Sequence, residues 1–177
     1  MAKNFKLIAT GSVGSGKTTM AKALSKLLNL ELIPINEMVK KEKLGKKVGK
    51  EIEANLTKLK KSIDKKTKGK KNYIVEGHLA CEFPIECDKI IVLRCNPKVL
   101  EKRLKKRKYP MEKIKDNALC EALDYCTIKA EENYPKGKII EIDNTKPKTA
   151  KEIMKIIGQK QKPEKKISWL KSYLEKS

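Results

Sequence analysis

The stretch "GSVGSGKTT", from Gly11 to Thr19, packs three glycines, a lysine and two threonines between two apolar runs. Glycine is entropically costly in ordered structure, so three within six residues need a use. The spacing G-x-x-x-x-G-K-[ST], carried by Gly11, Gly16, Lys17 and Thr18, supplies one. Gly11, Gly14 and Gly16 let the chain curl around an anion. Successive N–H groups then converge as a nest at the positive end of the following helix. Lys17 adds a mobile positive charge for terminal phosphates, Thr18 offers a hydroxyl to Mg²⁺, and Thr19 reaches the first phosphate. The chemistry is phosphate binding.

A phosphate cradle needs a metal partner and a group that orients the acceptor. "YIVEGH" supplies candidates in Glu76, after three apolar residues, and in His78, the single histidine of the chain. A carboxylate at the carboxyl end of a strand lies where open α/β sheets bind ligands. Arginine gives a second signal. Only three of the 43 basic residues are Arg, and Arg94, Arg103 and Arg107 fall within 14 residues. Arg carries a planar fork suited to phosphate, which Lys lacks. Arg103 and Arg107, four apart on one predicted helix, point the same way. The polar segment after them, "KYPMEKIKDN", could close over a nucleotide while the arginines neutralise charge on the transferring group.

Five apolar segments must position these residues: 5–10, 30–35, 72–77, 89–95 and 138–143. Helical periodicity falls between them. One helix runs from Lys17 to Asn29. A second is marked by Val48, Ile52, Leu56, Leu59 and Ile63. Others open at Pro97, run from Met111 through Asn133, and run from Lys148 to Ile157. Ile167, Leu170 and Leu174 give the tail a helical spacing, with Trp169 and Tyr173 alongside. Alternating strands and helices imply one α/β domain, with a parallel sheet covered on both faces.

The chain has 177 residues, 39% of them hydrophobic, enough for one core. No apolar run is long enough for a membrane span. The opening "MAKNFKLIATG" is too soon broken by glycine to read as a signal peptide. Five cysteines without a C-x-x-C pair argue against a disulfide framework and a zinc site, and point to buried thiols in a reducing cytoplasm. The net charge is +21. Lysines outnumber acids 14 to 4 between Met38 and Lys71, and 10 to 3 from Lys146 to Ser177. The bland explanation is a lysine-biased proteome of the kind thermophiles show, in which Glu rises as well. Glu does not keep pace, which favours an anionic partner such as RNA.

The strings "GSVGSGKTT", "VEGH", "VLRCNPKVLEKRLKKRKY" and "EKIKDNALCEAL" together resemble the adenylate kinase isoenzyme 6 family, small P-loop kinases shared by archaea and eukaryotes. The resemblance runs from the first strand to about Tyr134. It implies a P-loop nucleoside-monophosphate-kinase fold with a central five-stranded parallel sheet. It also implies a nucleoside-monophosphate-binding insert at about 33–56, a short lid without zinc at about 106–116, and leaves a C-terminal helix at about 163–176. By motif, Gly11, Gly14, Gly16, Lys17, Thr18 and Thr19 would bind ATP. Thr18 and Glu76 would hold Mg²⁺, Glu76 and His78 would form an acid-x-histidine pair, and Arg107 would be the lid arginine supported by Arg103. Catalysis would thus rest on Lys17, Glu76, His78, Arg103 and Arg107. Asn36, Glu37 and Lys40 would bind the acceptor, in an insert that holds no arginine.

Two functions are implied. One is phosphoryl transfer from ATP to AMP with accompanying ATPase activity, in a protein that also takes part in small-subunit rRNA processing and ribosome biogenesis. The other is primarily an ATPase switch that contacts a small-subunit platform ribosomal protein and pre-rRNA, with little AMP kinase activity. Either would act in the cytoplasm, as a monomer. A GTPase is disfavoured, because "DNTKPK" lacks the Asp of a guanine-recognition N-K-x-D.

Overall fold

The computed structural model describes residues 4–49, 51–158 and 167–175, with Glu51 by its backbone alone. The five expected strands are present: β1 (Phe5–Thr10), β2 (Glu31–Pro34), β5 (Asn72–Glu76), β6 (Lys89–Arg94) and β7 (Ile139–Asp143). They form one sheet in the order β2-β5-β1-β6-β7, with every neighbouring pair parallel. All five carboxyl ends therefore emerge at one rim.

The strands read as continuous apolar runs because both faces are covered. Ile8, Ile33, Val75, Ile90 and Val92 pack on one side with Leu59, Ile63 and Ala130. Leu7, Ala9, Ile74, Ile91 and Leu93 face the other side, with Met20, Ala21, Leu24 and Ile153. Each of the Val, Leu, Ile and Met side chains among them contributes about 1.5–3 kcal/mol by leaving water. Two helices cover the second side, α1 (Lys17–Leu28) and α7 (Ala150–Gly158). The first side is covered by α2 (Ile35–Lys41), α3 (Leu56–Thr67) and α6 (Tyr125–Asn133). After β1 the chain continues into α1 on one face. After β5 it runs through residues 77–88 on the other face. The two adjacent strands therefore open a crevice between them, at the switch point where such sheets bind ligands.

Four expectations change. The helix drawn through Val48 and Ile52 is an antiparallel hairpin, β3 (Gly45–Val48) and β4 (Glu51–Ala54), and only α3 is helical. Gly49 turns at φ +58°, and a Cβ on Gly45 would lie 2.2 Å from the Glu53 carbonyl oxygen, so the strands close on glycine. Asn55 then starts α3 by accepting from the Lys58 N–H at 2.9 Å. The helix expected from Met111 to Asn133 is two, α5 (Met111–Ala122) and α6, broken where Asp124 adopts φ +56°. Of the tail, Ile167, Ser168 and Trp169 are not helical and α8 (Leu170–Leu174) is short, while 163–166 and 176 lie outside the described residues. Four thiols are buried as expected, but Cys120 is exposed, on the outer face of α5. The remaining helix, α4 (Pro97–Lys106), starts at its proline with Asn96 as cap. No helix of the described residues is long and apolar enough to cross a membrane.

Candidate active site

The loop after β1 closes on glycine for steric reasons. Gly11 has φ +138°, and a Cβ there would sit 2.3 Å from the Leu93 carbonyl oxygen. Gly16 has φ +100°, with Asn144 Nδ2 only 2.6 Å from where its Cβ would be. The loop leads into α1, whose first residues are Lys17, Thr18 and Thr19. Lys17 is buried, and its Nζ donates to the Ser12 carbonyl at 3.4 Å. Burial lowers its pKa from the usual ammonium range, against the pull of the nearby Glu76 carboxylate.

Glu76 stands at the end of β5, 3% exposed, and Oε1 accepts from Thr18 Oγ1 at 2.9 Å. The two residues expected to share a metal are thus in contact. Among the described residues, no group of three or more His, Cys, Asp or Glu gathers to hold a metal. One hydroxyl and one carboxylate nevertheless suit Mg²⁺, which keeps several waters and takes its remaining ligands from substrate phosphates. The residues present fit that ion. Bound there, it would neutralise charge between donor phosphates.

His78, two residues after Glu76, lines the cleft that Lys17, Thr18 and Thr19 also line. Among the described residues its buried Nδ1 has no hydrogen-bond partner. Burial and the Lys17 charge push its pKa down to about 4, so the imidazole is neutral at physiological pH.

The three arginines separate. Arg94 never reaches the cleft. It is 1% exposed, with Nε on Glu121 Oε1 at 2.7 Å and Nη1 on Glu141 Oε1 at 2.6 Å, and a further ion pair to Asp124. It holds the core under the site and handles no phosphate. Arg103 does not point with Arg107 either. Its Nη1 donates to the Gly14 carbonyl at 3.2 Å, and its Nη2 to the carbonyls of Asn144 and Thr145 at 3.0 and 2.9 Å. It thereby ties the glycine loop to the segment after β7. Arg107 ends α4 and faces the cleft. The same helix therefore sends one arginine behind the loop and one in front of it.

The cleft measures about 950 Å³, near the upper end of small-molecule sites, roughly 300–1,000 Å³. Its floor is Gly14, Gly16, Lys17, Thr18 and Thr19. One wall comes from the 33–56 region through Asn36, Val39, Lys40, Ile52, Glu53 and Ala54. The other comes from Arg107, Tyr109, Lys113, Asp116 and Asn117. Asn36 and Lys40 line the cleft. Glu37 does not line the cleft; it is exposed beside Lys41 at 3.9 Å, because the next residue in the helix, Met38, turns into the core.

Sequence reasoning missed Glu82, Tyr125 and Asn144. Tyr125 donates to Glu82 Oε1 at 2.9 Å, and both line the cleft. Asn144, one residue past β7, donates to the Ser15 carbonyl at 2.8 Å and accepts from the Lys148 N–H at 2.9 Å. The amide of "DNTKPK" is thus occupied with the loop, which removes the residue a guanine-reading motif would need. A polar residue just past a strand's carboxyl end was the available signal.

A family model described as an AAA domain matches residues 7–124. A "Putative adenylate kinase" of Methanocaldococcus jannaschii is 34% identical over 176 residues, covering 96% of each chain. A protein of the same name from Pyrococcus abyssi is 35% identical over 150 residues, covering 84% of this chain and 80% of its own. Among solved structures, a shikimate kinase of Bacteroides thetaiotaomicron superposes with a TM-score of 0.60 at 17% identity, over 86% of this chain and 94% of its own. A deoxyadenosine kinase of M. mycoides with bound dATP gives 0.58 at 17% identity, over 87% of this chain and 100% of its own. At that identity the likeness speaks for the fold, the P-loop kinase arrangement of a parallel sheet between helices. With a matching domain model over two thirds of its length and archaeal relatives aligned nearly end to end, the chain belongs to the small adenylate-kinase-like family.

Proposed function

We propose that the protein transfers the terminal phosphoryl group of Mg·ATP to AMP, giving two ADP. The observation that carries this reading is the composition of one cleft, lined both by the glycine loop and by Asn36, Lys40 and the hairpin side of the 33–56 insert. Donor and acceptor would share that space. The loop amides and Lys17 would seat the donor phosphates, with Thr18 and Glu76 at the metal. Arg107, on the 106–116 lid, would gather charge developing on the group in flight. Lys40 would attract the acceptor phosphate as a point charge, in place of a bidentate arginine. The neutral His78 would accept or donate one hydrogen bond to the acceptor without carrying charge. The names of the archaeal relatives support the same reaction. Catalysis here is positioning with charge stabilisation.

The test is an AMP titration. Purified protein with Mg·ATP should form ADP faster as AMP is added, and Lys17→Ala should lower that rate at least a hundredfold. A rate indifferent to AMP rejects the reading.

A second reading is favoured by the net charge of +21 and by the absence of arginine from the insert. In it, a cytoplasmic, monomeric ATPase switches its grip on a small-subunit ribosomal protein and pre-rRNA during ribosome biogenesis. Acceleration by those partners and not by AMP would select it.

A further inference from the structure

Ser12 is the second residue of the glycine loop and is 5% exposed. It faces two ways. Its hydroxyl donates to Glu121 Oε2 at 2.6 Å, and its carbonyl accepts from Lys17 Nζ at 3.4 Å. Glu121 comes from α5, more than a hundred residues later in the chain, and is 1% exposed. Its other oxygen, Oε1, accepts from Arg94 Nε at 2.7 Å and from the Cys95 N–H at 3.1 Å. Arg94 also donates to the Glu121 carbonyl at 3.1 Å.

A buried carboxylate survives only when its lone pairs are filled, and here the two oxygens are divided between two tasks. Oε1 is saturated by Arg94 and by the main chain just past β6. Oε2 reaches out to the loop. The ion pair with Arg94 does not need that second contact, since Arg94 has Asp124 and Glu141 as further partners. The Ser12 carbonyl oxygen, the resting place of the Lys17 ammonium, also takes the Ser15 N–H at 3.1 Å, and what Oε2 adds is a second hold on the same residue through its side chain.

We infer that Glu121 is a positioning residue, which sets the Lys17 ammonium through the Ser12 hydroxyl while Arg94 holds the carboxylate in place. The inference rests on reading the Gly11–Thr19 loop as the seat of the donor phosphates. Lys17 must leave Ser12 and follow the phosphoryl group. A wandering Ser12 carbonyl would cost alignment in the transition state more than it costs nucleotide binding. The carbonyls of Gly14 and Ser15, further along the loop, stay anchored by Arg103 and Asn144.

The test is Ser12→Ala, which removes the hydroxyl and leaves the Arg94–Glu121 pair whole. We expect kcat for ADP formation to fall about tenfold, KM for Mg·ATP to change less than about threefold, and the thermal midpoint to drop by several degrees, because Glu121 Oε2 loses its partner. The ε-methylene NMR signal of Lys17, assigned by its loss in Lys17→Arg, should shift in nucleotide-free Ser12→Ala. An unshifted Lys17 signal overturns the inference, whether kcat is unchanged or falls with the melting temperature. Should the unaltered protein form no ADP from Mg·ATP and AMP, the kinase reading fails by itself. The Lys17 signal then still decides the positioning role, sustaining it if shifted.

Discussion

Lys17 and His78 are ionisable groups that line one pocket. Burial weakens both charges, and the Lys17 ammonium adds to the penalty on protonating His78, whose pKa falls from 6.5 to about 4. Linkage gives this a sign. Between those two values the unfolded chain takes up a proton that the folded chain refuses, so stability present above pH 6.5 is lost as the pH falls towards 4. Urea unfolding across that range should show the loss, and His78→Asn should flatten it. A pH slope identical in the two proteins would mean that His78 is already solvated. Glu76 and Lys17 were legible as chemistry because a motif and a strand end name them. Arg94 was legible only as an arginine. What it does depends on Glu121, Asp124 and Glu141, which α5, the turn after it and β7 bring together.

At the scale of elements, the strands could be read because burial on both faces leaves uninterrupted apolar runs. The hairpin could not. Val48, Ile52, Leu56, Leu59 and Ile63 satisfy a helical period, and only Ile52, set between Glu51 and Glu53, also shows the alternation of a strand. The short approach at Gly45 and the positive φ of Gly49 decide between them, and neither is visible in periodicity. The α5–α6 break was equally hidden. Asp124 is an ordinary helix-compatible residue until Arg94 draws its carboxylate inward. The hairpin carries a prediction. Gly45→Ala puts a methyl group against the Glu53 carbonyl, so β3 and β4 must part and the Ile52–Ala54 wall must shift. KM for AMP should rise several-fold with Mg·ATP affinity unchanged, both read from initial rates and calorimetry. Equal losses on both nucleotides would mean that the hairpin serves the whole fold.

For the whole molecule, a charge of +21 is the dominant long-range property. It makes polyanion binding a matter of counterion release. Affinity for a ribosomal RNA fragment, measured by fluorescence anisotropy, should drop about tenfold or more between 50 and 200 mM salt. A flat dependence would confine the lysines to solubility. Because β1, β2, β5, β6 and β7 all run the same way, Lys17, Glu76, His78 and Asn144 gather at one rim. The opposite rim, where Phe5, Glu31, Asn72, Lys89 and Ile139 begin their strands, carries none of them. A fluorophore, bead or sensor chip can be tethered on that blind side, leaving the mouth of the molecule turned freely towards whatever is offered to it.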